Sequence, residues 1–387
     1  MMVSRFCSVF SQLLQLFPRQ EFQKSVQKHG SDRGARDFRS WDHFVAMLFC
    51  QLGAAHSLRE ICGGLSACQG KLVQLGSERP NKSTLGYANQ HREWRLFQTV
   101  FYLLLNQCQQ LPLTKKFRFK NKLLSLDATL IELSLKAFPW AHYRQNKGAV
   151  KLHFTLDHEG YLPAGLIVTT GKRSELTMAR LQKWEPGTIL VFDRGYVEFG
   201  WFWKLTCAGV LFVTRVKKHA RYNVLEERPV PARSGVQADQ IIQYTFHRTV
   251  KKYPDPLRRI VFRTPEGEVF EYLTNNFDLA ASTIAAIYKD RWQIESFFKI
   301  LKQNLRIKTF VGTSFNAVMI QIWTALIALL VLKYLQMTAR FNWSMSNLAA
   351  LLRMNLFVYR DLWSWLHRPF EPPSSPPVTQ LQIDFTP

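Results

Sequence analysis

The chain has 387 residues, 47% of them hydrophobic, and carries 51 Lys and Arg against 28 Asp and Glu, a formal charge of +23. That length allows two or three domains with real cores, and that apolar fraction excludes a disordered chain. A cationic excess of this size is out of keeping with a small-molecule enzyme. It points to a polyanion, because each neutralised phosphate releases a counterion, although membrane surfaces attract basic chains too.

Residues 1–112 read as a helical N-terminal domain. Phe6, Phe10, Leu13, Leu14 and Phe17 recur at helical spacing, and Pro18 ends the run. A second helix is expected over Trp41–Leu52. A third starts at Ser57, with Glu60 completing a capping box, and is interrupted at Gly63-Gly64. Asn81 opens another, whose polar face carries Lys82, Asn89, Gln90 and Arg92. Short helices joined by glycine turns suit a major-groove reader, and they equally suit an ordinary helical domain; both readings stand at this level.

From Lys122 the period changes to that of strands. Leu123–Ser134 forms a strand-like run with Asp127 in its middle, Val150–Asp157 alternates next, and Leu162–Thr170 follows after the turn Asp157–Gly160. A helix over Glu175–Lys183, an apolar strand over Thr188–Phe192 ending on Asp193-Arg194-Gly195, a helix at Phe199–Cys207 and a strand at Val210–Thr214 complete the order. A three-strand meander followed by helix, strand, helix, strand is the order of an RNase H-like α/β fold. The catalytic domain is bounded at 113–310. It is interrupted at about 217–276 by a β-rich insertion, and twelve Lys and Arg against four Asp and Glu fall between Arg215 and Arg263.

Helices over Ala317–Arg340 and Ser346–Leu366 make up a C-terminal region, 311–368, suited to dimerisation, before a Pro/Ser-rich disordered tail at 369–387. The apolar run Ala317–Leu332 contains Gln321 and Thr324 and falls short of the roughly 20 residues that span a bilayer, so it reads as a core helix and no membrane partner is expected. No signal peptide is visible. Cys7, Cys50, Cys62, Cys68, Cys108 and Cys207 show neither C-x-x-C pairing nor ligand spacing with histidine, and read as buried thiols of a reducing cytoplasm.

Three carboxylates stand out. Asp127 lies among apolar neighbours, where an unpaired carboxylate is costly. Asp193 ends a buried strand, where α/β ligand sites collect, although Asp193-Arg194-Gly195 also suits a plain strand-end turn. Glu295 belongs to the segment Tyr288–Lys302, in which Tyr288, Arg291, Glu295 and Lys302 stand at offsets 0, 3, 7 and 14. At about 100° per residue these fall within roughly 60° of one another on one helix edge, beside the apolar stripe Ile287, Ile294, Phe298 and Leu305. In an RNase H-like sheet the two aspartate strands are neighbours, so the carboxylates converge. A divalent cation is the usual way to keep such a pair ionised. With Glu295 the set offers oxygen ligands for two Mg²⁺ ions and in-line displacement at phosphorus.

The spacing Y-x2-R-x3-E-x6-K, together with Asp127 in a first strand and Asp193 followed by Arg-Gly, resembles the insertion-sequence-four family of bacterial DDE transposases over nearly the whole chain. The resemblance implies catalytic and metal-binding roles for Asp127, Asp193 and Glu295, two Mg²⁺ ions with Mn²⁺ able to substitute, and DNA contacts from Tyr288, Arg291, Lys302 and Arg194. The segment Phe138–His153 resembles a stretch of one branch of the group and adds Arg144, Lys147 and Lys151 as backbone contacts. It further implies double-stranded DNA, both element ends and target, as partner, a homodimer in the synaptic complex, and a bacterial cytoplasmic location, on the nucleoid when bound. The expected activity is cleavage at terminal inverted repeats and transfer of the freed 3′-hydroxyl to target DNA. A catalytically silent DNA-binding protein and a structure-specific nuclease are the alternatives on the same fold. Related enzymes stack a flipped base on a tryptophan of the β insertion. This chain has none between Trp203 and Trp292, leaving Tyr222, Tyr244, Phe246, Phe270 and Tyr272 for that role.

Overall fold

The computed structural model describes residues 7–113, 115–144, 147–217, 219–230, 232, 234–304 and 310–371; the side chains of residues 69, 143, 144, 147 and 304 also fall outside it. The chain opens with helices α1 (Val9–Leu14), α2 (Arg19–His29), α3 (Ser40–Leu52), α4 (Leu58–Ala67), α5 (Gln69–Leu75), α6 (Lys82–His91) and α7 (Arg95–Gln109). α4 is capped as its spacing predicts: Ser57 Oγ accepts from Glu60 N at 3.2 Å, and Glu60 reaches back to His56 N. Gly63 and Gly64 do not interrupt it. A Cβ on Gly64 would stand 2.7 Å from the Phe49 ring, so the glycine lets α4 lie against α3. α2 is an addition to the expected set, begun after Pro18 and ended by Gly30 in the left-handed conformation (φ +59°).

The central sheet begins with β1 (Leu123–Leu133), β2 (His142–Arg144), β3 (Lys147–Asp157) and β4 (Leu162–Thr170). It continues through α8 (Glu175–Arg180), β5 (Ile189–Val191), α9 (Phe199–Cys207) and β6 (Leu211–Arg215). β1, β3 and β4 pair antiparallel, while β5 runs parallel to both β1 and β6. The spatial order β4-β3-β1-β5-β6 is that of an RNase H-like core. The insertion supplies β7 (Tyr222–Glu227), β8 (Val236–Tyr244), α10 (His247–Lys252), β9 (Leu257–Arg263) and β10 (Val269–Thr274). Its strands extend the same sheet, because β10 pairs antiparallel with β6 and β9, β8 and β7 follow in turn.

α11 (Ala281–Asp290) and α12 (Trp292–Asn304) return the chain to the sheet before α13 (Phe315–Thr338), α14 (Met345–Asn355) and α15 (Leu362–His367). The helix expected over 346–366 is therefore two. Between them Leu356 O and Val358 O accept from Phe10 N and Val9 N, so this segment is drawn out to pair with the start of α1. Of the proline-rich tail, residues 372–387 lie outside the described residues.

A large core joins α1, α3, α7, α13 and α14 to one face of β1 and β3 and to Ile294, Phe297, Phe298 and Leu301 of α12. The helices before residue 112 and those after 311 thus share one core, with residues 317–332 of α13 buried throughout. α13 is a core helix, as its broken apolar run predicts, and that stretch leaves no surface for a second copy. Cys50 and Cys108 are buried as expected, but Cys7, Cys62 and Cys68 are only half-buried and Cys207, at the end of α9, is exposed.

Candidate active site

The register of β1 against β5 pairs Leu123 with Ile189 and Ser125 with Val191; carried on by two residues it sets Asp127 opposite Asp193, close enough for the Asp193 charge to raise the Asp127 pKa. By the period of a strand, Leu123, Ser125 and Asp127 share one face, and α11 packs on it through Ile284 and Ile287 beside Leu123. Asp127 is mostly covered, its side chain 18% exposed, and its Oδ1 accepts from Ala128 N at 2.7 Å. Asp193 follows β5 and caps the turn Arg194–Tyr196, its Oδ1 accepting from Gly195 N at 2.9 Å. A Cβ on Gly195 would stand 3.0 Å from that oxygen, a tight contact that a larger residue would meet at this turn.

Glu295 lies in the first turn of α12. The single helix expected over Tyr288–Lys302 is divided at Arg291, which keeps helical angles (φ −51°, ψ −30°) while its N–H is shared between Ile287 O and Tyr288 O. Tyr288, Arg291 and Glu295 therefore stay together, and Leu305 of the apolar stripe lies outside the described residues. The buried Arg291 guanidinium donates to Asp127 Oδ2 at 3.3 Å and to Glu295 Oε1 at 2.8 Å, and lies 5.5 Å from the Tyr288 ring centre. One cation thus ties the strand carboxylate to the helix carboxylate. This departs from the expected phosphate-facing arginine: in the free protein the carboxylates hold Arg291 inward.

The other expected DNA contacts are dispersed. Lys302 is half-buried in the last turn of α12, and Arg194 half-buried beside Asp193. Lys151, 12% exposed, pairs with Glu175 at 3.4 Å. Arg144 and Lys147 sit across the β2–β3 hairpin, and their side chains lie outside the described residues. On α6, Asn89 and Arg92 do not face solvent: Asn89 Oδ1 accepts from buried His43 at 2.8 Å, and Arg92 donates to the carbonyls of Ser31, Phe38 and Arg39. Burial lowers the His43 pKa to about 3, so the ring is a neutral donor. Lys82, Tyr87, Gln90 and His91 form the exposed face. Among the insertion aromatics, Tyr244 and Tyr272 are buried, Tyr222 and Phe270 lie under Arg259 and Arg215, and Phe246 is 56% exposed.

Three site residues escape a reading by motif. Tyr196, directly after Asp-Arg-Gly, is a buried phenol whose pKa is raised by burial and then by Glu175, Asp127 and Asp193. Glu175, the first residue of a helix legible in the sequence, is therefore a fourth carboxylate near the pair. Trp292, next to Arg291, is 63% exposed.

The Transposase DDE domain profile matches residues 118–331, and a domain of unknown function, DUF4372, matches residues 7–78. A transposase-named protein of Sinorhizobium fredii is 31% identical over 324 residues, 82% of this chain and 88% of its own length. The chain belongs to the DDE transposase family. Transposase-named proteins of the elements IS5377 from Geobacillus stearothermophilus and IS4SA from Synechocystis are 30% and 23% identical, covering 67% and 68% of this chain and 68% and 75% of their own. A piggyBac transposase synaptic complex with hairpin DNA aligns over 97% of this chain and 84% of its own at 10% identity, with a TM-score of 0.46, too distant to carry detail across. This DDE transposase is an insertion-sequence enzyme, a metal-dependent endonuclease and DNA strand transferase.

The family uses divalent metal ions, and the donors of this transposase suit one: Asp127, Asp193 and Glu295 offer only hard oxygens. Among the described residues no three His, Cys, Asp or Glu side chains are gathered closely enough to hold an ion. The Arg291 guanidinium supplies the positive charge between Asp127 and Glu295.

Burial pushes the Asp127 carboxyl up to about 6, against the Ala128 N–H and Arg291, with Asp193 and Glu175 adding to the rise. The folded protein therefore holds this proton between about pH 4 and 6 while the unfolded chain has released it, so stability falls as pH rises through that window, and the cost is complete above it. Metal-free Asp127→Asn is expected to be more stable than wild type at pH 7.5, by about 1–2 kcal/mol, with the gain largely gone at pH 4. Chelator-treated urea midpoints at the two pH values check this. A variant less stable at pH 7.5 would show that Arg291 outweighs desolvation.

Proposed function

We propose that this transposase binds the terminal inverted repeats of its own element, hydrolyses the phosphodiester at each end, and joins the freed 3′-hydroxyl to target DNA as a dimer. The observation that carries the reading is the convergence of two parallel strands and one helix: Asp127 and Asp193 side by side, with Glu295 tied to Asp127 through Arg291. Asp127, Asp193 and Glu295 would hold two Mg²⁺ ions, or Mn²⁺ in their place. When bound, these activate the attacking oxygen and neutralise charge on the leaving one.

Attack by water on the boundary phosphorus breaks its P–O3′ bond and leaves the element with a 3′-hydroxyl. Attack by that oxygen on a target phosphorus then displaces a target 3′-oxygen. Tyr288, Arg291, Lys302 and Arg194 position phosphates beside the carboxylates, and Lys151 with Arg144 and Lys147 tracks the backbone along β2 and β3. Arg291 serves phosphate only once it is displaced from the carboxylates by a metal ion in this reading.

The test is a duplex ending in the inverted repeat that flanks the coding region, incubated with protein in Mg²⁺ or in chelator. Nicking at the repeat boundary only with Mg²⁺, and joined product on adding a target plasmid, supports the reading. Specific binding without nicking in Mg²⁺ or Mn²⁺ would replace it with a DNA-binding role.

A further inference from the structure

Beneath the site lies a second polar cluster that the metal-binding reading does not use. Ser125 Oγ and His158 Nε2 are 2.6 Å apart, as are His158 Nδ1 and Asp290 Oδ2. Asp290 also takes Lys116 Nζ, and the Tyr161 hydroxyl donates to its two oxygens at 3.3 and 3.2 Å. Ser125 is fully buried, and the side chains of His158 and Asp290 are 3% and 1% exposed. The order Ser–His–Asp matches a nucleophile relay, but no substrate reaches a hydroxyl inside a strand core, so the cluster is not a hydrolytic centre.

Its placement points elsewhere. Ser125 is two residues before Asp127 on the same face of β1, and Asp290 is the last residue of α11, next to Arg291. The β3–β4 turn supplies His158 and Tyr161, and His158 N also bonds Leu123 O of β1 at 3.1 Å. Tyr161 carries a left-handed backbone (φ +53°) directly after Gly160 (φ +68°). Two consecutive positive φ angles are those of a tight turn between antiparallel strands, and this turn brings the Tyr161 hydroxyl to Asp290. Asp290 Oδ2 takes one ring nitrogen of His158 and Ser125 Oγ the other, so the imidazole is held from both sides. Burial alone would raise the Asp290 pKa, yet His158 and Lys116 hold it below the ordinary value.

We propose that His158 and Asp290 are positioning residues that lock the α11–α12 junction to β1, and so hold Arg291 and Glu295 opposite Asp127, the arrangement from which the carboxylates take up metal ions. This rests on the metal-binding reading of Asp127 and Glu295. The experiment measures Mn²⁺ binding without DNA, from the electron paramagnetic resonance signal of the free ion. It is run on wild type, His158→Leu, His158→Asn and Asp290→Asn, with terminal-repeat affinity and thermal midpoint alongside. His158→Leu and Asp290→Asn are expected to weaken Mn²⁺ binding about 10- to 100-fold, the range for removing a side chain that orients a ligand. His158→Asn restores a donor on the Asp290 side and is expected to recover part of that loss; repeat affinity, which Lys302, Arg194 and Lys151 also carry, is expected to fall less than Mn²⁺ binding.

Lowered thermal midpoints with wild-type Mn²⁺ binding would overturn the proposal, leaving the cluster a structural brace. Should His158→Leu fail to fold, Asp290→Asn and His158→Asn decide it, because Mn²⁺ binding equal to wild type in both would overturn it equally. A wild-type protein that binds no Mn²⁺ would remove the metal-binding reading and the proposal with it, which is distinct from variants matching a wild type that does bind.

Discussion

Asp193→Asn and Glu295→Gln will each lower cleavage at the terminal repeat by about 10³-fold or more. The loss of a single hydrogen-bond donor to a developing oxyanion already costs about 10²–10³-fold, and a carboxylate on a catalytic cation carries a full charge. Both substitutions keep shape. Asp193→Asn retains an oxygen for the Gly195 N–H, and Glu295→Gln retains one for Arg291. Binding of the repeat duplex should stay within about two-fold, or tighten, since each variant removes a negative charge that faces phosphates. Cleavage rate and duplex affinity measured on the same preparations check this. Nicking by Glu295→Gln within ten-fold of wild type would remove Glu295 from the metal ligands. Joint loss of binding and cleavage would mean that the variant had misfolded.

The second large effect is on stability. Arg258, on β9 and 2% exposed, donates from Nε and Nη2 to the two oxygens of Asp239 on β8 at 2.8 and 2.7 Å. Its Nη1 donates to Asn276 O at 3.1 Å and Leu279 O at 2.6 Å, which lie just before α11. Removing one partner strands a buried charge, so Arg258→Ala is expected to cost about 3–5 kcal/mol in urea unfolding. The double variant Arg258→Met/Asp239→Leu removes both charges at similar volume and is expected to recover most of that loss. A single-variant cost under about 1 kcal/mol would show that water reaches the pair. The same residue joins the insertion to the segment that launches the catalytic helix, so loosening it should also slow cleavage.

Much of the site was legible because its chemistry is local in sequence. Asp127 betrayed itself as a carboxylate among strand apolars, Asp193 by its place at a buried strand end, and Glu295 by a fifteen-residue spacing that holds on a helix whatever it packs against. The meander followed by strand, helix, strand was readable from the change of period at Lys122. Arg291 shows the limit of the same logic. Its helix edge was read correctly, but a helical wheel does not say whether a guanidinium finds phosphate or carboxylate. The answer depends on Asp127, 164 residues away. Asn89 and Arg92 failed for a related reason: polar type suggested an exposed face, whereas His43 and three backbone carbonyls of other segments claim them.

Taken alone, the sequence determined the polyanion partner, the period of most main elements, the buried character of α13 and which three carboxylates are the candidates, because charge, period and spacing are properties of neighbouring residues. Tertiary structure decided the rest. It merged the N- and C-terminal helices into one core around α13, and it turned the insertion into four further strands on the β6 edge. It drew residues 356–358 out of helix to meet α1, and it gathered Ser125, His158, Tyr161 and Asp290 beneath the carboxylates. Each of these joins groups tens to hundreds of residues apart, through close packing or the need of a buried polar atom for a partner, and no local periodicity records which distant partner will be met.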